Sequence, residues 1–158
     1  MTAETPRPLP WEVPNPHTLP VTVQAADTDV MGHTNNVVYL AWLERVAWSH
    51  TTALGMSFER YVALNAGCVA RRHELDYLAA TFVGDELMLG TWIQENDQKL
   101  SMWRAYQIIR VSDGRTVMRG RTLWVCVDMK TGRPRRQPPE FLQVYQPADT
   151  GASAEPDQ

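Results

Sequence analysis

Residues 27–46 read DTDVMGHTNNVVYLAWLERV. Within ten positions the chain places two carboxylates, a histidine and two asparagines, then runs straight into a segment that is apolar almost all the way round. Thr34 or Asn35 is suited to cap a helix that Val37, Val38, Tyr39, Leu40, Ala41, Trp42 and Leu43 continue, and Gly55 marks its end. A helix whose first turns lack a polar side must be enclosed, because a surface helix shows charges opposite its core stripe. Glu44, Arg45 and His50 are the exceptions.

Outward from this helix, residues 21–25 alternate and are rich in β-branched side chains, which predicts a short strand ending at the polar cluster. Residues 57–65 predict a short helix capped by Ser57, with Phe58, Tyr61, Val62 and Leu64 packing inward. Downstream the character changes to strands, over residues 68–78, 86–95, 99–111 and 116–129. Val83-Gly84-Asp85, Asn96-Asp97 and Ser112-Asp113-Gly114 supply the turns between them. This is the pattern of an antiparallel meander. Pro138-Pro139-Glu140 opens a last helix through Tyr145, with proline tolerated in its first turn. One strand, a long apolar helix and a meander make the fold class α+β.

The chain has 158 residues, enough for one domain with a sizeable core. Prolines at 6, 8, 10, 14, 16 and 20 predict an extended arm over residues 1–18. The domain proper is expected over 19–145, and the small, polar residues 146–158 as a disordered tail. A net charge of −3 gives no basic field for nucleic acid or an anionic membrane, so neither is an expected partner. Cys68 and Cys126 lack the spacing of a metal cluster or disulfide framework and suit a reducing compartment. No signal peptide or membrane span is visible, which makes the cytoplasm the expected location.

Four chemistries compete for the polar cluster. Capping and turn formation would use one or two of its residues. A metal site at Asp27, Asp29 and His33 would lack a second histidine or cysteine nearby and matches no familiar ligand spacing. A Ser-His-Asp hydrolase would need a serine in the cluster or a GxSxG elbow, and neither occurs. Acyl hydrolysis needs a carboxylate to attack a carbonyl or deprotonate water, and a donor for the developing oxyanion. Asp29 and the backbone N–H of Asn36, at the positive end of the helix, can converge on one such atom. Thioesters suit so modest an apparatus.

At these residues the sequence resembles a known family. Asp27-Thr28-Asp29 with Gly32-His33-Thr34-Asn35-Asn36, Tyr39 and Leu43-Glu44 is similar to the signature of hotdog-fold acyl-CoA thioesterases of the 4-hydroxybenzoyl-CoA thioesterase class, in their long-chain acyl-CoA branch. Downstream, residues 71–77, 83–87, 113–117 and 124–134 resemble the family's later strands and turns. The resemblance implies a hotdog fold, a long central helix wrapped by a curved antiparallel sheet. It also implies a homodimer or homotetramer with active sites at the subunit interface. The implied activity is hydrolysis of acyl-CoA to a carboxylic acid and free coenzyme A, without metal or cofactor. Asp29 matches the family's catalytic aspartate and Asn36 the helix-start position whose N–H meets the thioester carbonyl. His33 assists or orients the loop, since some members carry a histidine at the position of Asn36 instead. Asn35, Tyr39, Arg71 and Arg72 are the expected substrate contacts, the arginines for the phosphates of coenzyme A. Two rivals on the same fold are a hydratase or dehydratase, which would aim His33 at the substrate, and a non-catalytic acyl-CoA-binding domain.

Overall fold

The structure, a computed structural model, describes residues 7–150. The first six residues of the expected arm and the last eight of the expected tail lie outside that range. Five strands, β1 (His17–Thr22), β2 (Ala66–Tyr77), β3 (Glu86–Asn96), β4 (Ser101–Arg110) and β5 (Arg115–Asp128), form one antiparallel sheet in the order β1-β3-β4-β5-β2. The long helix α1 (Asn36–Ala53) packs across one face of it, with α2 (Phe58–Leu64) and α3 (Pro139–Val144) alongside. This is the expected α+β architecture, a long central helix held against a curved antiparallel sheet.

Local chemistry explains the helix ends. Asn35 caps α1 by accepting the Val37 N–H at 3.0 Å. At the far end Gly55 sits at φ +89, its N–H bonds to Thr52 O, and the Met56 N–H bonds to Thr51 O. That paired closure needs a left-handed residue just past the helix, which glycine adopts without strain. Tyr39, Trp42, Leu43, Val46, Ala47 and Thr51 make the buried stripe, at helical spacing. They meet Leu87 and Leu89 of β3 and Tyr106 and Ile108 of β4, so the core lies between α1 and the inner face of the sheet.

Four expectations change. The first strand begins at His17, inside the proline-rich arm, and stops at Thr22; residues 25–27 form a 3-10 turn instead. The sheet is not a simple meander, because β2 lies beyond β5 and residues 78–85 must cross the sheet to start β3. On α2, Tyr61 is buried but Phe58 and Val62 are exposed. Finally, α1 is covered on one side only: Val37, Ala41, Glu44, Arg45 and Trp48 face outward. A single sheet can bury only one stripe of a helix, and nothing else among the described residues covers the other side.

The outer face of the sheet is closed by the arm. Val13 packs against Trp92 and Ala105, and Ala148 joins them from the other end of the chain. Trp11 lies where a side chain on Gly90 would be, with indole carbons 2.3 to 2.9 Å from an added Cβ. Gln107 fixes the arm's backbone, accepting from Glu12 N–H at 3.0 Å and donating to Pro10 O at 3.2 Å. Strands β3 and β4 are thereby buried on both faces, which is why their middles are buried almost without interruption, polar Thr91, Arg104 and Gln107 included. Among the described residues no helix is long and apolar enough to cross a membrane. Replacing Val13 with Asp is expected to put an unpaired charge into this contact and to cost about 1–3 kcal/mol of stability, read as a lower urea midpoint than the wild type.

Candidate functional site

The loop from β1 to α1 closes on itself as a small hairpin. Thr28 and Thr34 form an antiparallel bridge, the Asp29 N–H donates to His33 O at 2.8 Å, and the Asn35 N–H donates to Asp27 O at 2.8 Å. At the tip the Gly32 N–H donates to Asp29 O at 3.0 Å, with Gly32 at φ +78. The Asp29 side chain holds this tip from within: Oδ1 accepts from the N–H of Met31 at 2.8 Å and of His33 at 3.3 Å. Asp27 does a separate job, accepting the Gln24 N–H at 2.8 Å to close the preceding 3-10 turn.

The loop delivers Asp29 to the start of α1. Asn36 is the first helical residue, and among the described residues its N–H has no acceptor, as the first donors of any helix lack intrahelical partners. The Asn36 carbonyl accepts from the Tyr77 hydroxyl at 3.1 Å, which ties the end of β2 to the same junction. The hairpin that carries Asp29 therefore runs directly into the helix start at Asn35 and Asn36, while the Asp29 carboxylate itself bonds within the loop tip. Asn35, however, has its side-chain oxygen engaged as the helix cap. The His33 imidazole lies edge-on to Phe82, with ring centroids 5.1 Å apart, and its contribution to Asp29 is through its backbone.

Tyr39 departs further from expectation. It is buried, and its hydroxyl bonds to Thr81 Oγ1 at 2.7 Å, which in turn bonds to Thr34 Oγ1 at 2.6 Å. The Thr34 N–H also donates to Thr81 O at 2.9 Å. These groups satisfy one another in the core, so Tyr39 fastens the site loop rather than contacting a ligand. Arg71 and Arg72 lie on the exposed edge strand β2, at a bulge between Ala70 and Arg72. Arg72 pairs with Glu74 at 3.3 Å, while Arg71 makes no ion pair among the described residues. Arg72 is five residues from Tyr77, about 16 Å along an extended strand, so neither arginine joins the Asp29 cluster within one chain.

A dry groove was expected at the helix start, and a single chain does not build it. Val30 is 104% exposed, Met31 73% and Val37 73%, and Tyr77, Leu78, Phe82 and Val83 are exposed around them. The junction of loop and helix stands at the rim of the sheet, with no second wall.

A cavity of about 120 Å³ lies farther along α1, lined by Glu44, Ala47, Trp48, Thr51, Tyr61, Cys68, Met102, Arg104 and Trp124. Arg104, on β4, is 2% exposed. Its guanidinium donates to His50 Nδ1 at 2.7 Å, Thr91 Oγ1 at 3.2 Å and Thr51 Oγ1 at 3.3 Å, none of them charged acceptors. His17 stacks on His50 at 5.0 Å between centroids. Burial, then the Arg104 charge, then His17 push His50 down to about 3, so it is neutral and accepts from the guanidinium. Burial raises the Cys68 and Tyr145 groups to about 12 and raises Tyr61 as well, so all three are uncharged. The Trp124 indole N–H is buried without a hydrogen-bond partner among the described residues, although the Tyr106 hydroxyl is near enough to interact. Sequence reading passed over this cluster. Its signal was Arg104 standing in phase with Met102, Tyr106 and Ile108, on the inward side of β4.

Residues 23–144 match the family described as the thioesterase-like superfamily. No curated protein sequence matches the chain. Among solved structures, a 1,4-dihydroxy-2-naphthoyl-CoA thioesterase from Synechocystis is similar at 17% identity and a TM-score of 0.74, over 83% of this chain and 96% of that one. A DHNA-CoA thioesterase from Staphylococcus aureus is similar at 21% identity and a TM-score of 0.73, over 81% and 87%. A hypothetical Staphylococcus aureus protein solved in complex with CoA is similar at 16% identity and a TM-score of 0.77, over 92% and 98%. The shared architecture is the hotdog fold.

The neutral His50 sets a pH dependence. Its folded pKa of about 3 lies below the ordinary 6.5, so between those values the unfolded chain takes up a proton that the folded chain refuses. Stability is therefore expected to fall as the pH drops from about 6.5 towards 3. His50→Gln, which keeps an acceptor for Arg104, is expected to lose less between pH 7 and pH 5 than the wild type, measured as urea midpoints.

Proposed function

The chain belongs to the thioesterase-like superfamily, and from that membership we propose that it hydrolyses acyl-CoA thioesters to the free carboxylic acid and coenzyme A, with Asp29 as general base or nucleophile. The observation that carries this reading is the junction itself: a carboxylate held by two backbone N–H groups of its own loop, leading directly into a helix whose first N–H has no acceptor. The carboxylate removes a proton from water, or itself adds to the thioester carbonyl carbon. The carbonyl oxygen gathers negative charge opposite the Asn36 N–H, where the helix dipole also favours it. Collapse of the tetrahedral intermediate breaks the C–S bond, and in the general-base route the departing thiolate takes up the proton that Asp29 removed from water. In the direct route the thiolate leaves first, water then cleaves the acyl-aspartate anhydride, and the proton released protonates the thiolate while Asp29 returns to its ionised form. Thr34, Thr81 and Tyr39 hold the loop and the helix start in register for this step.

The second wall of the site is assigned to another copy of the chain. The apolar side chains around the loop, the outward face of α1 and the long unpaired edge of β2 are surfaces that a monomer would leave wet. The opposite edge, β1, is short and carries Pro20, which blunts it against pairing. Val69, exposed on β2, is a direct probe. Val69→Asp is expected to shift the sedimentation mass towards one chain and to lower thioesterase activity in proportion; a wild type that sediments as a monomer would refute the shared site. Arg71, unpaired at the β2 bulge, is the arginine better placed to meet a coenzyme A phosphate in such an assembly.

The decisive experiment is release of free thiol from short, long and aromatic acyl-CoAs by the wild type, Asp29→Asn and Asp29→Ala. Wild-type turnover of at least one thioester is expected, with losses on the order of a hundredfold or more in kcat for both variants. Binding without thiol release would make the chain a binding domain. Fully active variants would remove Asp29 from the mechanism.

A further inference from the structure

A guanidinium is charged at any physiological pH and presents five N–H donors in a rigid fork. In Arg104 three of those donors are engaged, by His50, Thr91 and Thr51, and the other two have no acceptor among the described residues. Around it the groups that could carry a counter-charge are not ionised: His50 and His17 are held neutral, and burial keeps Cys68, Tyr61 and Tyr145 protonated. The one carboxylate on the cavity wall, Glu44, is exposed at its mouth and makes no ion pair with Arg104. A charge buried in this way is costly unless a partner neutralises it. The same wall carries the Trp124 indole N–H, buried beside the Tyr106 hydroxyl but without a well-aligned acceptor among the described residues. Two donors of this kind around one small cavity form a receptor that lacks only its anion.

We infer that this cavity, between the second half of α1, α2 and the inner face of the sheet, binds the carboxylate of a small organic group, received by Arg104 and Trp124. Carboxylate suits it better than inorganic phosphate. Its two oxygens match the fork of a guanidinium, and Ala47, Trp48 and Met102 supply apolar walls for the carbons behind it. An apolar cavity of roughly 150 Å³ takes benzene, so one of about 120 Å³ accepts a chain of a few carbons with its carboxylate. Thr51, which bonds Arg104, lies fifteen residues beyond Asn36, about 22 Å along the helix. A carboxylate here is therefore remote from the Asn36 N–H of its own chain. If the thioesterase reading holds, on which this step rests, the bound group is the far end of an acyl chain, and the preferred substrates are thioesters of ω-carboxy acids over plain fatty acyl thioesters of equal length.

Binding and turnover test the two parts separately, on the full chain. Butyrate, butanol and inorganic phosphate are titrated by calorimetry while the Trp124 indole resonance is followed by ¹H–¹⁵N NMR. Butyrate is expected to bind and move that resonance, and the alcohol and phosphate are not. Arg104→Met, which fills the space without a charge, is expected to weaken butyrate at least tenfold, and Trp124→Phe several-fold. Unchanged resonances with butyrate, or equal affinity in Arg104→Met, overturn the site, as does phosphate binding with equal strength. In turnover, hexadecanedioyl-CoA, whose extended chain spans about the distance from the Asn36 N–H to Arg104, is expected to exceed palmitoyl-CoA in kcat/KM by tenfold or more, and Arg104→Met to erase that ratio. Butyrate binding with no thioester hydrolysed keeps the site and removes the thioesterase reading; hydrolysis of both thioesters without preference or butyrate binding does the reverse.

Discussion

The strand order imposes the constraint from which the site follows. With β2 beyond β5, the chain must travel from one edge of the sheet past β5 and β4 before β3 can begin beside β1, and it does so past the start of α1. There Thr81 receives Thr34 and Tyr39, and Tyr77 reaches the Asn36 carbonyl. A crossing that covers the sheet's end thus also clamps the loop bearing Asp29. Buried hydroxyl chains of this kind tolerate little rearrangement, since any member withdrawn leaves its neighbours unsatisfied in a low-dielectric interior. The fixed geometry of the loop is a by-product of topology.

Local signals carried much of this to the sequence reader. Asn35 as cap, Gly55 as stop, Ser57 as cap and the proline start of α3 are short-range chemistry, and each is found where its residue types imply. The closing of residues 27–35 on themselves was also legible in their composition. What escaped was non-local. Strand partners depend on pairings across the whole chain, so the strand expected over residues 68–78 reads as the meander's first although β2 lies at the outer edge of the sheet. The proline-rich arm was expected to be merely extended, but Trp11 and Val13 give it apolar anchors on the sheet. Thr34 reads in the sequence as a candidate cap, and its actual partner is Thr81, 47 positions away.

The two polar regions of the molecule have opposite characters. At the Asp29 loop the charges are exposed and largely satisfied by backbone, so the loop is formed without help and waits only for a wall. In the cavity a cation is buried among neutral groups, with donors left over. The first is incomplete in shape and the second in charge. Both incompletenesses lie along α1, one at its start and one beside its second half, and this helix therefore separates what one chain stabilises alone from what something else must supply.

The outer face of the sheet has its own implication for how the protein is made. Val13 emerges from the ribosome early, yet its seat on Trp92 and Ala105 exists only after β3 and β4 have been synthesised, and Ala148 reaches the same spot near the end of the chain. During translation the arm has nowhere to dock, and Trp92 stays open to other proteins until both termini arrive. Sealing that face is therefore a late event in biosynthesis, and the nascent chain is most vulnerable to association through its outer sheet, on the side away from the Asp29 loop.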